Sequence, residues 1–150
     1  RNFQGYSTYA DCDLVAIGVS SIGKIGSTYS QNERDIDAYY AALDAGHLPI
    51  MRGYQLNQDD ILRRNIIQDL MCRFSLDYQI YESVFGIPFS RYFAAELEDM
   101  KQLETLGLVR LKPHSLTVTP KGRFLIRNIA MVFDYHLRHK ETKAKYSQTV

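Results

Sequence analysis

The spacing of apolar positions changes along the chain, and each change predicts an element. Leu14-Val15-Ala16-Ile17 is a continuous apolar run between polar Asp11 and Asp13 and the small Gly18. That pattern predicts a short strand buried on both faces, as in parallel sheets. The run ends in Gly18-Val19-Ser20-Ser21-Ile22-Gly23. Small residues at a strand end let backbone approach a ligand closely, and an ordinary tight turn explains the same residues. One strand cannot fold alone, so its sheet is expected upstream of Arg1. Asp35 to Ala45 predicts a helix with Ile36, Tyr39, Tyr40 and Leu43 on one face and Gly46 as its stop. Pro49 then opens an extended run from Ile50 to Leu56.

From Asn57 the period becomes helical. Asn57 predicts an N-cap, with Asp59 and Asp60 at the positive end of the helix dipole. Leu62, Ile66, Ile67, Leu70, Met71 and Phe74 then recur at helical spacing. A shorter helix is expected through Ile80, Tyr81, Val84 and Phe85, stopped by Gly86, and a third through Phe93, Leu97, Met100 and Leu103. Gly107 fits the left-handed position after that helix, with Leu108 packing back. Val109 to Leu111 and Leu116 to Val118 read as two short strands. Thr119 then caps a last helix with Pro120 at its first position. Its apolar residues, Leu125, Ile129, Val132, Phe133 and Leu137, predict a central place. Three helices, a strand pair and a helix form a winged-helix-like order. The expected class is therefore α+β: a mainly helical unit over 57–150 with a winged-helix-like β-hairpin, a connector over 26–56, and a strand region over 1–25 that belongs to a larger sheet.

Composition adds limits. The 150 residues are 45% apolar and 23% charged, a globular balance. Cys12 and Cys72, the only two cysteines, lie 60 residues apart. They fit no CxxC spacing, so a disulfide framework or zinc site is not expected, and two free thiols suit a reducing cytoplasm. No apolar run approaches the ~20 residues of a membrane helix. The net charge of +1 hides an asymmetry: residues 1–56 carry −2, 57–110 carry −3 and 111–150 carry +6.

The basic end raises nucleic-acid binding, which a winged helix also suggests. The helix that would read a groove nevertheless carries Glu96, Glu98, Asp99 and Glu104 against Arg91 and Lys101, and the phosphate backbone would repel it. The basic residues come later, at Lys121, Arg123, Arg127, Arg138, Lys140, Lys143 and Lys145. Other chemistry is weakly signalled. His136 and His139 share a helical spacing but have no third ligand nearby in sequence. Asp59 and Asp60 are adjacent and do not face each other on a helix.

The strongest pattern is a series of patches in order: Asn2-Phe3-Gln4-Gly5-Tyr6-Ser7-Thr8, Asp11, Asp13-Leu14, Gly18-Val19-Ser20-Ser21-Ile22, Tyr29-Ser30-Gln31-Asn32, Tyr39-Tyr40, Arg52-Gly53, Asp59-Asp60, Arg63-Arg64, Phe74-Ser75-Leu76-Asp77-Tyr78, Tyr92-Phe93, Gly107-Leu108-Val109 and Lys121 to Ile129. The chain resembles, over essentially its whole length, the C-terminal region of the oxygen-independent coproporphyrinogen III oxidases. That resemblance implies a radical S-adenosylmethionine (SAM) enzyme of haem biosynthesis. Its catalytic barrel lies upstream and binds a [4Fe–4S] cluster through a CxxxCxxC motif absent here.

The resemblance further implies that two propionate side chains of coproporphyrinogen III lose carbon dioxide to become vinyl groups, giving protoporphyrinogen IX. Residues 1–25 would be the last strand region of the truncated barrel, and 57–150 the domain covering the cleft. Two SAM molecules bind side by side in the family, and Ile22 matches the isoleucine that contacts the second. No metal ligand and no catalytic residue are expected in this chain, and it is expected to be inactive alone. Asn2 to Thr8 would lie near the substrate cleft. Partners implied are coproporphyrinogen III and an electron donor, in a cytoplasmic monomer that needs neither nucleic acid nor membrane. A haem chaperone of the same superfamily is the alternative. Its Ala-His-Gly strand ending is replaced here by Ser20-Ser21-Ile22-Gly23.

Overall fold

The structure, a computed structural model, describes residues 12–139. Asn2 to Thr8, Asp11, Lys140, Lys143 and Lys145 lie outside the described residues. The chain is α+β, with two small antiparallel sheets. It divides into two compact units between Ile61 and Leu62.

The first unit is built on a sheet of order β1-β2-β3, with β1 at Ile22–Ile25, β2 at Thr28–Asn32 and β3 at Ile50–Gln55. Ile25 pairs with Thr28, so β1 and β2 are joined by the two residues Gly26-Ser27. Such a tight hairpin needs a left-handed residue, and Gly26 supplies it at φ 56°. Helix α1 (Ile36–Asp44) separates β2 from β3. Asp35 caps it by accepting from the Ala38 N–H at 2.9 Å. It ends in paired bonds from Gly46 N to Leu43 O and from His47 N to Ala42 O, the Schellman closure. Of the face expected from the sequence only Tyr39 is buried; Ile36, Tyr40 and Leu43 are exposed. The stretch expected as a connector thus supplies β2, α1 and β3.

The expected buried strand at Leu14 to Ile17 is not formed among the described residues. Leu14 makes one antiparallel bridge to Lys24, and Val15 and Ile17 are 70% and 86% exposed. An apolar run forms a buried strand only where sheet lies on both sides of it, and the described residues supply a single bridge.

Helix α2 (Gln58–Arg73) starts on a reciprocal cap. Asp60 N donates to Asn57 Oδ1 at 2.9 Å, and Asn57 N donates to Asp60 Oδ2 at 3.1 Å, a capping box with Asp in the acidic position. The second unit contains the core. Leu62, Ile66, Leu70 and Met71 of α2 are buried, as their spacing predicts. Phe74 does not extend the helix: it turns left-handed at φ 60° and hands the chain to β4 (Ser75–Asp77). Helices α3 (Tyr78–Phe85), α4 (Phe89–Tyr92) and α5 (Ala94–Thr105) follow. On α3 the buried side chains are Tyr78 and Tyr81, while Ile80 and Val84 face solvent.

Gly107 adopts φ 71° after α5, and Leu108 is buried as expected. Strands β5 (Val109–Lys112) and β6 (Ser115–Val118) form the hairpin, and β4 pairs with β6 to give the order β4-β6-β5. Stacked, tilted and edge-on rings run from Tyr78 to Phe89 (4.3 Å), Phe93 (4.8 Å) and Phe133 (5.5 Å), geometries that aromatic pairs adopt.

The single last helix expected from the sequence is three short ones: α6 (Pro120–Arg123), α7 (Ile126–Met131) and α8 (Tyr135–Arg138). Thr119 caps the first through Gly122 N. Gly122 brings α6 so close to Leu108 that a Cβ there would overlap the Leu108 carbonyl. Asp134 restarts the chain as the cap of α8. Ile129 and Phe133 are fully buried but Leu125 is exposed. No helix among the described residues is long and apolar enough to cross a membrane.

Candidate functional site

Ile22 opens β1 directly after a tight turn. Gly18 and Ser20 take φ 102° and 60° there, the backbone of a tight turn. Asn32, buried at the end of β2, fixes the turn from inside. Its amide donates to Gly18 O at 3.0 Å and Ser21 Oγ at 3.2 Å. Gly18 N donates in turn to the Tyr39 hydroxyl at 3.1 Å. Side chains that satisfy turn backbone in this way define its path, and Ile22 emerges on the sheet face with 52% of its surface exposed.

Register then decides what Ile22 faces. It pairs with Gln31, and Gln31 pairs with Arg52, so the three form one row across the sheet. The next row on that face is Lys24, Tyr29 and Tyr54. Gln31 is the hub of the first row. Its Nε2 donates to Ser20 O at 3.1 Å. Its Oε1 accepts from Arg52 Nε at 3.0 Å and Nη2 at 2.6 Å, and from Arg34 Nη2 at 3.4 Å. Tyr54 donates its hydroxyl to Asp60 Oδ2 at 3.0 Å. That bond, then desolvation and the Asp60 charge, raises the Tyr54 pKa above its ordinary value. An open cleft of about 360 Å³ lies over this face, lined by Ile22, Tyr29, Gln31, Arg52 and Tyr54 among others. Apolar walls with a few fixed polar groups suit a small organic ligand.

The sequence reading singled out Ile22 and gave no role to Gln31, Arg52 or Tyr54. The alternation Tyr29/Gln31 and Arg52/Tyr54 was the available signal, but those residues fell in an expected connector.

The other candidates are placed differently. Arg123 lies over the Phe74 ring at 4.7 Å, Lys121 donates to Leu106 O at 3.0 Å and Arg138 pairs with Asp99. These cations of the basic end serve packing and helix termini. Arg127 is exposed. His139 stacks on Tyr135 at 4.0 Å. Among the described residues no group of three or more His, Cys, Asp or Glu is placed to hold a metal ion. Two cysteines in the whole sequence do not fit a [4Fe–4S] cluster, which needs three or four thiolates.

With this geometry in view, the likeness to known proteins is specific. Residues 56–125 match the family described as the HemN C-terminal domain. The chain is 44% identical, over its full length, to an oxygen-independent coproporphyrinogen III oxidase of Synechocystis, of which it covers 33%. It is 47% identical to that of Pseudomonas aeruginosa, with 91% of this chain and 30% of the relative aligned. The Escherichia coli coproporphyrinogen III oxidase (HemN), a solved structure described as a radical SAM enzyme, superposes with a TM-score of 0.87 at 43% identity, covering 91% of this chain and 31% of that one. The chain spans about a third of the length of the curated relatives it matches.

Proposed function

From a chain that carries the HemN C-terminal domain and is homologous to the C-terminal third of the oxygen-independent coproporphyrinogen III oxidases, we infer that it works as part of such an enzyme. The whole protein would oxidatively decarboxylate two propionate groups of coproporphyrinogen III and yield protoporphyrinogen IX. The observation that carries this reading is identity of 42–47% sustained over 91–100% of the chain.

Within that reading the two units have separate tasks. Residues 62–139, with the order α2, β4, α3, α4, α5, β5, β6 followed by three short helices, form a winged-helix-like cover for the active-site cleft. Residues 12–25 belong to the edge of a barrel supplied by upstream chain, which would bury Val15 and Ile17. Cluster and radical chemistry come from that barrel, since this chain lacks the thiolates. What this chain contributes is a wall: Ile22 presents an apolar side chain toward the second SAM, on a turn that Asn32 and Tyr39 hold rigid. Alone, the chain is expected to cleave no SAM.

The test uses the full-length protein under anaerobic conditions with SAM, a reductant and coproporphyrinogen III. The unaltered enzyme should release carbon dioxide and form protoporphyrinogen IX. Ile22→Asp should impair turnover while iron content stays unchanged, because a carboxylate would be forced against the ligand wall. Absence of turnover in the unaltered enzyme, with tight stoichiometric haem binding, would replace this reading with a haem chaperone. Normal turnover in Ile22→Asp would remove Ile22 from the site.

A further inference from the structure

The row beside Ile22 contains an unusual electrostatic arrangement. Two guanidinium groups, Arg34 and Arg52, converge on one neutral amide oxygen, Gln31 Oε1. Neither arginine pairs with a carboxylate among the described residues. Lys24 lies in the next row of the same face. Asp60, the acid bonded to Tyr54 of that row, is already engaged by the Tyr54 hydroxyl and the Asn57 N–H. Two guanidinium groups that share a neutral acceptor and pair with no carboxylate suit an anionic ligand.

The geometry narrows the ligand to a carboxylate. Gln31 cannot turn its amide freely, because its Nε2 is held on Ser20 O. Its oxygen occupies the side edge of Arg52, taking Nε and Nη2. That leaves the end edge of the guanidinium, Nη1 and the second hydrogen of Nη2, with no protein acceptor among the described residues. Two parallel N–H donors in a plane are the fork that a carboxylate fits bidentately. The side-on clamp also fixes the fork before any ligand arrives, which lowers the ordering penalty of binding. The ring of Tyr29 and the side chain of Ile22 supply the apolar part of the cleft.

We propose that Arg52, oriented by Gln31, binds a carboxylate of the ligand that Ile22 faces. This deepens the functional reading above and rests on it. Two ligands there would carry the required group: a propionate arm of the porphyrinogen, and the amino-acid carboxylate of SAM. Arg52 is then a ligand-binding residue and Gln31 its positioning residue.

The experiment uses the full-length, cluster-loaded enzyme and its Arg52→Ala, Arg52→Lys and Gln31→Leu variants. SAM affinity is read by equilibrium binding without porphyrinogen, and KM and kcat are read against coproporphyrinogen III. Arg52→Ala should weaken one of the two ligands about 10- to 100-fold, the change expected for losing a charge-assisted hydrogen-bonded pair. Arg52→Lys should restore only part, because a lysine keeps the charge without the fork. Gln31→Leu should give a smaller loss of the same affinity. A raised KM for coproporphyrinogen III with unchanged SAM affinity identifies a propionate; weakened SAM affinity identifies the amino-acid carboxylate. Both affinities within twofold of the unaltered enzyme in Arg52→Ala, at equal iron content, would overturn the proposal. If the unaltered enzyme converts no coproporphyrinogen III, the functional reading fails, and the SAM arm alone decides for or against Arg52.

Discussion

Arg63 and Glu96 form an enclosed ion pair of the second unit, and removing either partner should be strongly destabilising. The pair is 2.8 Å apart, with side chains only 11% and 7% exposed. Breaking a buried pair leaves an uncompensated charge and costs about 3–5 kcal/mol, against ~1 kcal/mol or less for a surface pair. The two sides are not equivalent. Arg63 also donates to Phe133 O at 3.2 Å and sits over the rings of Phe93 and Tyr135 at 5.1 and 5.4 Å. Glu96→Gln therefore leaves a cation that keeps part of its surroundings, and the loss should be near the lower bound, about 3 kcal/mol. Glu96 has no second hydrogen-bond partner among the described residues, so Arg63→Met should lose about 4–5 kcal/mol.

The double variant Arg63→Met/Glu96→Leu discriminates the mechanism. Replacing both charges by apolar groups removes the desolvation penalty together with the attraction. It forfeits the Phe133 and ring contacts, so it should lie within ~2 kcal/mol of the unaltered chain, far from the sum of the single losses. Urea unfolding followed by circular dichroism reads these values from midpoints at constant slope. Single losses below ~1 kcal/mol, as at a surface pair, or a double variant as unstable as the summed singles, would refute the argument.

Two further expectations follow from the second unit. Gly122→Ala should destabilise by ~3 kcal/mol or more, because its new methyl meets the Leu108 carbonyl and Val118 Cγ1 and the backbone part cannot yield as a flexible side chain would; Gly107→Ala, which meets nothing within 4 Å but stands at φ 71°, should lose only ~1 kcal/mol, and equal thermal midpoints for the two would contradict the crowding. Tyr78 is pushed up to about 12, first by burial and then by the Glu104 charge, so its contribution is complete below the ordinary tyrosine pKa of ~10 and is lost as pH rises through its folded value; stability should fall between pH 10 and 12, and Tyr78→Phe should flatten that fall, whereas an unchanged alkaline slope would show that other groups set it.

Where sequence fixed local geometry, the elements were legible. Asn57 and Thr119 cap helices as their positions predict, because a cap needs only a short polar side chain and the residues just after it. Gly46, Gly86 and Gly107 stop helices for an equally local reason. What was not legible depended on distant neighbours. Phe74 continues the apolar spacing of α2 but flips left-handed where β4 pairs with β6. Ile80 and Val84 have helical spacing, yet the packed side of α3 is set by Tyr78 and Tyr81 against Phe89. The last helix is interrupted at Asp134, which caps α8, and an apolar period does not encode such a break.

The candidate site shows the same division within a single row of three residues. Ile25-Gly26-Ser27-Thr28 carries a two-residue hairpin signal. Once Ile25 is set opposite Thr28, counting outward puts Ile22 opposite Gln31, so that half of the row follows from local chemistry. The other half does not. Helix α1 intervenes between β2 and β3, and the register shifts at Gln31/Asn32. Asn32 faces Ile50, and regular pairing would then put Met51 opposite Gln31. The bulge inserts one residue, and Arg52 takes that place. A one-residue offset moves a side chain to the opposite face of a sheet. Without it, a methionine would stand beside Ile22, and the face would lose the charge on which carboxylate binding depends. The chemistry assigned to this cleft therefore rests as much on the irregularity that re-aims β3 as on the arginine itself.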